Sequence, residues 1–226
     1  MHATIHDKFL VPNGGPYFLT HSIGPMTVKG KSYLDQHYLT PWQEKGGQAW
    51  PYWLTLMDRF NGALAKLLGG REDEFAHQPN LSAGLAKYLL SLPPKNGSTK
   101  ILMHATAFPS MGFVVNGLGQ AEFELVLIPE DRPAHDPQVW DDHLSDDIDM
   151  ILITHVHSMT GVLSPVEEIA QLAKSKGKRV LVDVAQSAGI IPIHIPDWEV
   201  DAIFGCGEIL ELMSPAGLRI DVLVPK

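Results

Sequence analysis

Asp183 closes a greasy run, "VLVD", and is followed at once by small and polar residues, "VAQSAG". A carboxylate at the mouth of an apolar segment is costly to desolvate, so it calls for a protonated or cationic partner, contact with solvent, or a turn to cap. From residue type alone, capping and partner-seeking stand level. A second pattern lies in "ITHVHSMTG" (153–161), where alternation along a strand end projects His155 and His157 to one side. That is the start of a zinc-dependent hydrolase's ligand set, but Met159 and Thr160 stand where further ligands would follow, and zinc normally takes three or more. The other reading is one histidine packed and one hydrogen-bonded. A third pattern, "QPNLSAG" (78–84), turns into a helix. Its free amides and the Ser82 hydroxyl suit a phosphate ester, or serve only as an ordinary helix start. Phe108, before Pro109, is either core or an aromatic platform.

The elements that must position these residues follow from the hydrophobic pattern. "KILMHATAF" (100–108), "EFELVLIPE" (122–130), "DMILITHVH" (149–157), "KRVLVDVA" (178–185) and "VDAIFGCG" (200–207) are continuous apolar runs of strand length. Continuity without alternation predicts strands covered on both faces, hence a parallel sheet. Between the third and fourth runs, "SPVEEIAQLAKSKG" predicts a helix with Ser164 as cap, Pro165 first, Glu167 completing a capping box and Gly177 as the stop. Its buried stripe would be Ile169, Leu172 and Ala173. Strand, helix and strand make a right-handed βαβ unit. In a doubly wound sheet, ligands bind beyond the carboxyl ends of the strands, where Phe108 to Ser110, His155 to Thr160, Asp183 to Gln186 and Gly205 to Ile209 fall.

Before residue 100 the character is helical. Trp53, Leu56, Met57, Phe60, Leu64, Leu67 and Leu68 recur at three- and four-residue spacing before Gly69 and Gly70. A shorter helix runs through "LSAGLAKYLLSL", and "LPPKNGST" (92–99) reads as a connector. Two regions are expected: a helical segment over residues 1–70, and a larger α/β domain over 71–226 whose tail from about residue 207 departs from the pattern.

Of the 226 residues, 45% are hydrophobic and 19% charged, an ordinary globular composition. A net charge of -9, from 17 basic against 26 acidic residues, argues against nucleic acid and against an anionic membrane surface as partners. The single cysteine, Cys206, excludes an intrachain disulfide framework and suits a reducing compartment. With no secretory-type amino terminus and no run of ~18 apolar residues, the expected location is the cytoplasm.

Taken in order, the segments from "YFLTHSIGPM" through "DAIFGCG" resemble the pyridoxal-phosphate enzymes of aminotransferase class V, on the branch that includes kynureninase and isopenicillin-N-epimerase-like proteins. The most specific stretch is "THVHSMTGVLSPVEEIAQLAKSKGKRVLVDVAQSAGIIPIHIPDWEVDAIFGC". The resemblance implies a fold-type-I large domain, a mostly parallel sheet flanked by helices, with pyridoxal 5'-phosphate as cofactor, an amino acid as substrate and a homodimer or larger assembly. It also implies roles. Asp183 would bond the pyridinium nitrogen, Gln186 would lie near the phenolic oxygen, Phe108 would stack on the ring, and Asn80, Leu81 and Ser82 would hold the phosphate. Thr154, Ser158 and Thr160 would lie along the same rim. Relatives often carry Asn where Ser158 stands, and the kynureninase branch often has an acidic residue where Met111 stands.

One departure is larger. Where relatives carry the lysine that bonds covalently to the cofactor, this chain reads Gly207-Glu208-Ile209-Leu210-Glu211, with Ile209 in the lysine's place. The chain also reaches Lys226 without the family's smaller carboxy-terminal domain. One codon choice that encodes residues 207 to 211, GGU GAA AUA CUU GAA, gives Val-Lys-Tyr-Leu and an Asn-compatible start when read one nucleotide later, so a frameshift near residue 207 is one expectation that would account for both departures. Lys174, Lys176 and Lys178 sit on a solvated helix end and make poor substitutes. The expectation is therefore a shortened or impaired form of an amino-acid enzyme, with a catalytically inactive cofactor-binding module or partner subunit as the alternative.

Overall fold

A computed structural model gives the fold, describing residues 5–12, 15–119 and 121–205 and the backbone of 221–223. Five of its strands fall on the apolar runs: β2 (Thr99–His104), which starts one residue early, β3 (Phe123–Ile128), β4 (Met150–Thr154), β5 (Arg179–Asp183) and β6 (Ala202–Gly205). All five run parallel, and two short strands, β1 (Ala76–Gln78) and β7 (Asp221–Leu223), pair antiparallel beside β6. The order across the sheet is β1-β7-β6-β5-β4-β2-β3. The protein is thus an α/β fold with a mostly parallel sheet flanked by helices.

Continuity of apolar residues tracks position in the sheet. In the central β4 all five residues are buried, as expected for a strand covered on both faces. β3, an equally continuous run, sits at the edge, and Leu127 is exposed there. Two-sided cover fails for β3 because it has one neighbouring strand and an incomplete helical layer.

The helices are α1 (Val28–Leu34), α2 (Thr40–Lys45), α3 (Trp50–Leu68), α4 (Leu81–Leu90), α5 (Pro109–Gly117), α6 (Pro137–His143), α7 (Val166–Ser175) and α8 (Ile195–Trp198). In α3, Phe60, Leu64 and Leu68 enter the main core beside Ile151, Val180 and Val182. Trp53, Leu56, Met57 and Leu67 are only half-buried. The first half of α3 is covered by the thin layer of preceding short helices, where Tyr38 stacks on Trp53 with ring centroids 5.0 Å apart. The stop at Gly69 is as expected, its φ of 80° lying in the region glycine favours.

α7 corrects one expectation. It starts at Val166 after Pro165, and no side chain caps it. Ser164 is buried, with its hydroxyl 3.4 Å from His157 Nε2, so it serves the loop beside the sheet edge instead of the helix and the capping box does not form. The buried stripe is Val166, Ile169, Ala170 and Ala173, while Leu172 is half-covered. The C-terminus behaves as expected. Gly177 has φ 70°, with Lys178 N–H bonded to Ala173 O and Gly177 N–H to Lys174 O, a Schellman closure.

Candidate functional site

The carboxyl ends of β2, β4 and β5 and the start of α4 enclose a cavity of about 550 Å³. The structure brings Asn80, Leu81, Ser82, Phe108, Thr154, Ser158, Asp183 and Gln186 together on its wall. These residues span more than a hundred positions of sequence, and the parallel sheet gathers them because each lies at or just past a strand end or at a helix start.

Asp183 is the last residue of β5, in register with Thr154 on β4 and Phe204 on β6. It is 4% exposed, and its Oδ1 accepts the Ala185 N–H at 2.9 Å. No cation pairs with it among the described residues. Burial pushes its carboxyl up to about 6, and the Ala185 N–H offsets only part of that rise. Beside it, the Thr154 Oγ1 is buried with no hydrogen-bond partner. Two polar side chains therefore meet the cavity short of partners, a state that costs stability unless something polar fills the space.

The other walls are built locally. Asn80 caps α4, its Oδ1 accepting the Ala83 N–H at 2.8 Å, which leaves the first-turn amides of Leu81 and Ser82 at the positive end of a ten-residue helix beside the cavity. Phe108 precedes Pro109 at the start of α5 and is 53% exposed, an uncommon state for an aromatic ring. Asp183, Thr154, the helix start and the open Phe108 face suit a ligand with a protonated heterocycle at one end and an anionic group at the other. Pyridoxal 5'-phosphate has both, so the residues present fit it.

Some wall residues were not foreseen as such. His21 and Ser22 come from the amino-terminal strap, which Gln186 ties down by donating from Nε2 to His21 O at 3.1 Å. Their signal was present, since the family-like stretch begins at "YFLTHSIGPM". Ser110, Val156, Met159 and Ala185 complete the lining, all within the segments expected beyond the strand ends. Thr160 is off the wall, its Oγ1 accepting the Val162 N–H at 3.3 Å.

The histidine pair does not project to one side. β4 ends at Thr154, so strand alternation stops before the pair. His155 Nδ1 meets Ser187 Oγ at 2.8 Å and its ring packs edge-on against Trp198, whereas His157 Nδ1 meets Thr106 Oγ1 at 2.9 Å. Burial holds His155 down to about 4 and lowers His157 as well. Among the described residues, no three His, Cys, Asp or Glu side chains gather as metal ligands. Among the described residues no lysine lines the cavity: Lys174 pairs with Asp201, Lys176 with Asp141, and Lys178 donates to Asp146 O. Ile209 lies outside the described residues.

A mostly parallel sheet with a buried aspartate facing a cavity at its carboxyl edge defines the class, and the aminotransferase class-V family profile matches residues 88–220. The chain belongs to that family. It is 28% identical over 216 residues to kynureninase of Burkholderia mallei, covering 90% of this chain and 50% of the relative. It is 29% identical over 140 residues to the uncharacterized aminotransferase YcbU of Bacillus subtilis, covering 62% of this chain and 37% of that one. The chain thus spans about half the length of the curated kynureninases it matches. Among solved structures, a mutant of C-DES with glycine covalently linked to the PLP cofactor superposes with a TM-score of 0.87 at 19% identity, covering 99% of this chain and 60% of that one. The cystine C-S lyase C-DES with its product cysteine persulfide gives 0.81 at 20% identity, covering 93% and 57%. These likenesses establish a shared fold.

Proposed function

We propose that the cavity binds pyridoxal 5'-phosphate and that residues 71–226 are the cofactor-binding domain of an enzyme acting on an amino acid, with residues 1–70 laid over it as a helical segment. The observation that carries this reading is the buried carboxylate of Asp183, with no cation beside it among the described residues, facing a cavity of heterocycle size. Bound there, the cofactor supplies a protonated ring that draws electrons from a bond at the substrate's α-carbon. Asp183 ionises against that ring proton and holds it at the nitrogen, recovering the cost of its own burial. Thr154 Oγ1 gains the partner it lacks. The Leu81 and Ser82 amides and the Ser82 hydroxyl take the phosphate, Phe108 covers one ring face, and Gln186 donates toward the phenolic oxygen from beneath the strap.

Ile209 stands where the resemblance puts the covalent lysine, and an isoleucine cannot bond the cofactor's aldehyde. On this reading the chain alone binds the cofactor without a covalent bond and turns over no amino acid. Exposed Phe18, Trp42, Trp50 and Leu54 on the amino-terminal layer support pairing with a second copy. No helix of the described residues is long and apolar enough to cross a membrane.

The test is titration of the protein with pyridoxal phosphate, followed by absorbance and equilibrium dialysis, then borohydride reduction and mass measurement. Saturable binding that weakens in Asp183→Asn, with no mass retained after reduction, is the expected outcome. No saturable binding would overturn the site; a retained mass would overturn the noncovalent reading and locate a lysine by peptide mapping.

A further inference from the structure

Behind the cavity, four side chains that hold no cofactor role form a chain of hydrogen bonds across three loops. His104, His157 and Ser164 are buried, and Thr106 stands between the two imidazoles. His104 lies at the end of β2, Arg132 in the loop after β3, and His157 and Ser164 in the loop after β4. The direction of every bond is determined by its ends. His104 Nε2 lies 2.8 Å from the Arg132 carbonyl oxygen, which can only accept, so Nε2 carries the proton. His104 Nδ1 is then the acceptor in the neutral ring, consistent with the Thr106 backbone N–H that reaches it at 3.2 Å. The Thr106 hydroxyl donates to the same Nδ1 at 2.7 Å.

The second imidazole is fixed in the same manner. His157 Nδ1 lies 3.3 Å from the Thr106 carbonyl oxygen and 2.9 Å from Thr106 Oγ1, so it must donate. Its Nε2 is left to accept from the Ser164 hydroxyl at 3.4 Å. Protons therefore point one way, from Ser164 through His157, Thr106 and His104 to the Arg132 carbonyl. The two rings carry opposite tautomers. A proton added to His104 Nδ1 would face the Thr106 N–H, donor against donor, so the chain holds only with that ring neutral.

We infer that this one-directional chain positions the cavity wall, by locking the loop that carries Phe108 to the loop that carries Ser158. Thr106 lies two residues before Phe108, and His157 directly precedes Ser158. Thr106 is the keystone because its hydroxyl accepts from one imidazole and donates to the other, which valine cannot do despite a similar shape. These four are positioning residues. The link to the cofactor rests on the function proposed above, whereas the chain and its loop-locking do not.

The experiment has a part that needs no ligand. In the protein labelled with nitrogen-15, ring nitrogen shifts at neutral pH should show His104 protonated at Nε2 only and His157 at Nδ1 only; the reverse tautomers, or an imidazolium at His104, would overturn the inference. Thr106→Val should speed amide exchange in both the 105–110 and 155–164 loops by at least about tenfold and weaken pyridoxal phosphate binding by a similar factor, since two half-buried hydrogen bonds are lost. Thr106→Ser should restore both to within about threefold, since it keeps the hydroxyl. His104→Asn is the milder variant, keeping an acceptor for Thr106 and releasing only the Arg132 end, so faster exchange should appear in the loop after β3. Unchanged exchange in Thr106→Val would refute the lock. Failure of the wild-type protein to bind pyridoxal phosphate would refute the proposed function and leave the tautomer and exchange results to decide the lock.

Discussion

Asp183→Asn should stabilise the empty protein and weaken its hold on the cofactor, two effects of opposite sign from one substitution. Burial raises the Asp183 carboxyl from 3.8 to about 6, so between those values the folded state keeps a proton that the unfolded chain has released. Stability must then fall as pH rises through that window, and the ionised form carries the full penalty above it. A shift of about two units at 1.36 kcal/mol each sets the penalty at about 3 kcal/mol. That value is a ceiling, because the asparagine amide hydrogens need acceptors of their own, although its oxygen can still accept the Ala185 N–H. For a chain of this size the gain is roughly 6–12 °C in Tm at most. Urea unfolding of both apo proteins from pH 8 to pH 4 measures it: the variant should lead by up to about 3 kcal/mol at pH 8, with the lead vanishing near pH 4. The difference between the two proteins is the proper readout, because His155, held down to about 4 by burial, lowers the stability of both as pH drops below its ordinary range. With pyridoxal phosphate present the order should reverse, the variant losing about 100-fold or more in affinity as the paired charge is removed. Equal stabilities at pH 8, or a lead that does not change with pH, would refute the buried, cation-free carboxylate.

Thr154→Val removes a buried hydroxyl that lacks a partner, so the apo protein should gain about 1 kcal/mol in urea unfolding while cofactor affinity falls. Phe108→Ala alters a ring that is 53% exposed, so apo stability should change by less than about 1 kcal/mol, whereas pyridoxal phosphate affinity measured by dialysis should drop about tenfold. Asn80→Ala deletes the α4 cap and should cost about 1 kcal/mol of stability. It should also narrow the preference for pyridoxal phosphate over pyridoxal, measured by competition, because the helix start loses its fixed amide geometry.

Short-range codes made much of this protein legible in its sequence. Continuous apolar runs announced the five parallel strands, Asn80 and Gly177 marked the ends of their helices, and Asp183 stood out because a carboxylate at a buried strand end needs a reason. Each signal depends on neighbours within a turn or a strand's length. The tertiary structure alone decided the rest. It set β3 at an edge where its apolar run is half-covered, and paired the brief β1 and β7 strands, which are too short to show a period. It turned Ser164 away from α7 toward His157, and sent His155 and His157 to different neighbours once β4 had ended. It also carried His21 across 165 positions to the carboxamide of Gln186. Such contacts join loops whose approach is fixed by the packing of a whole sheet and its helices, and no local pattern encodes that distance.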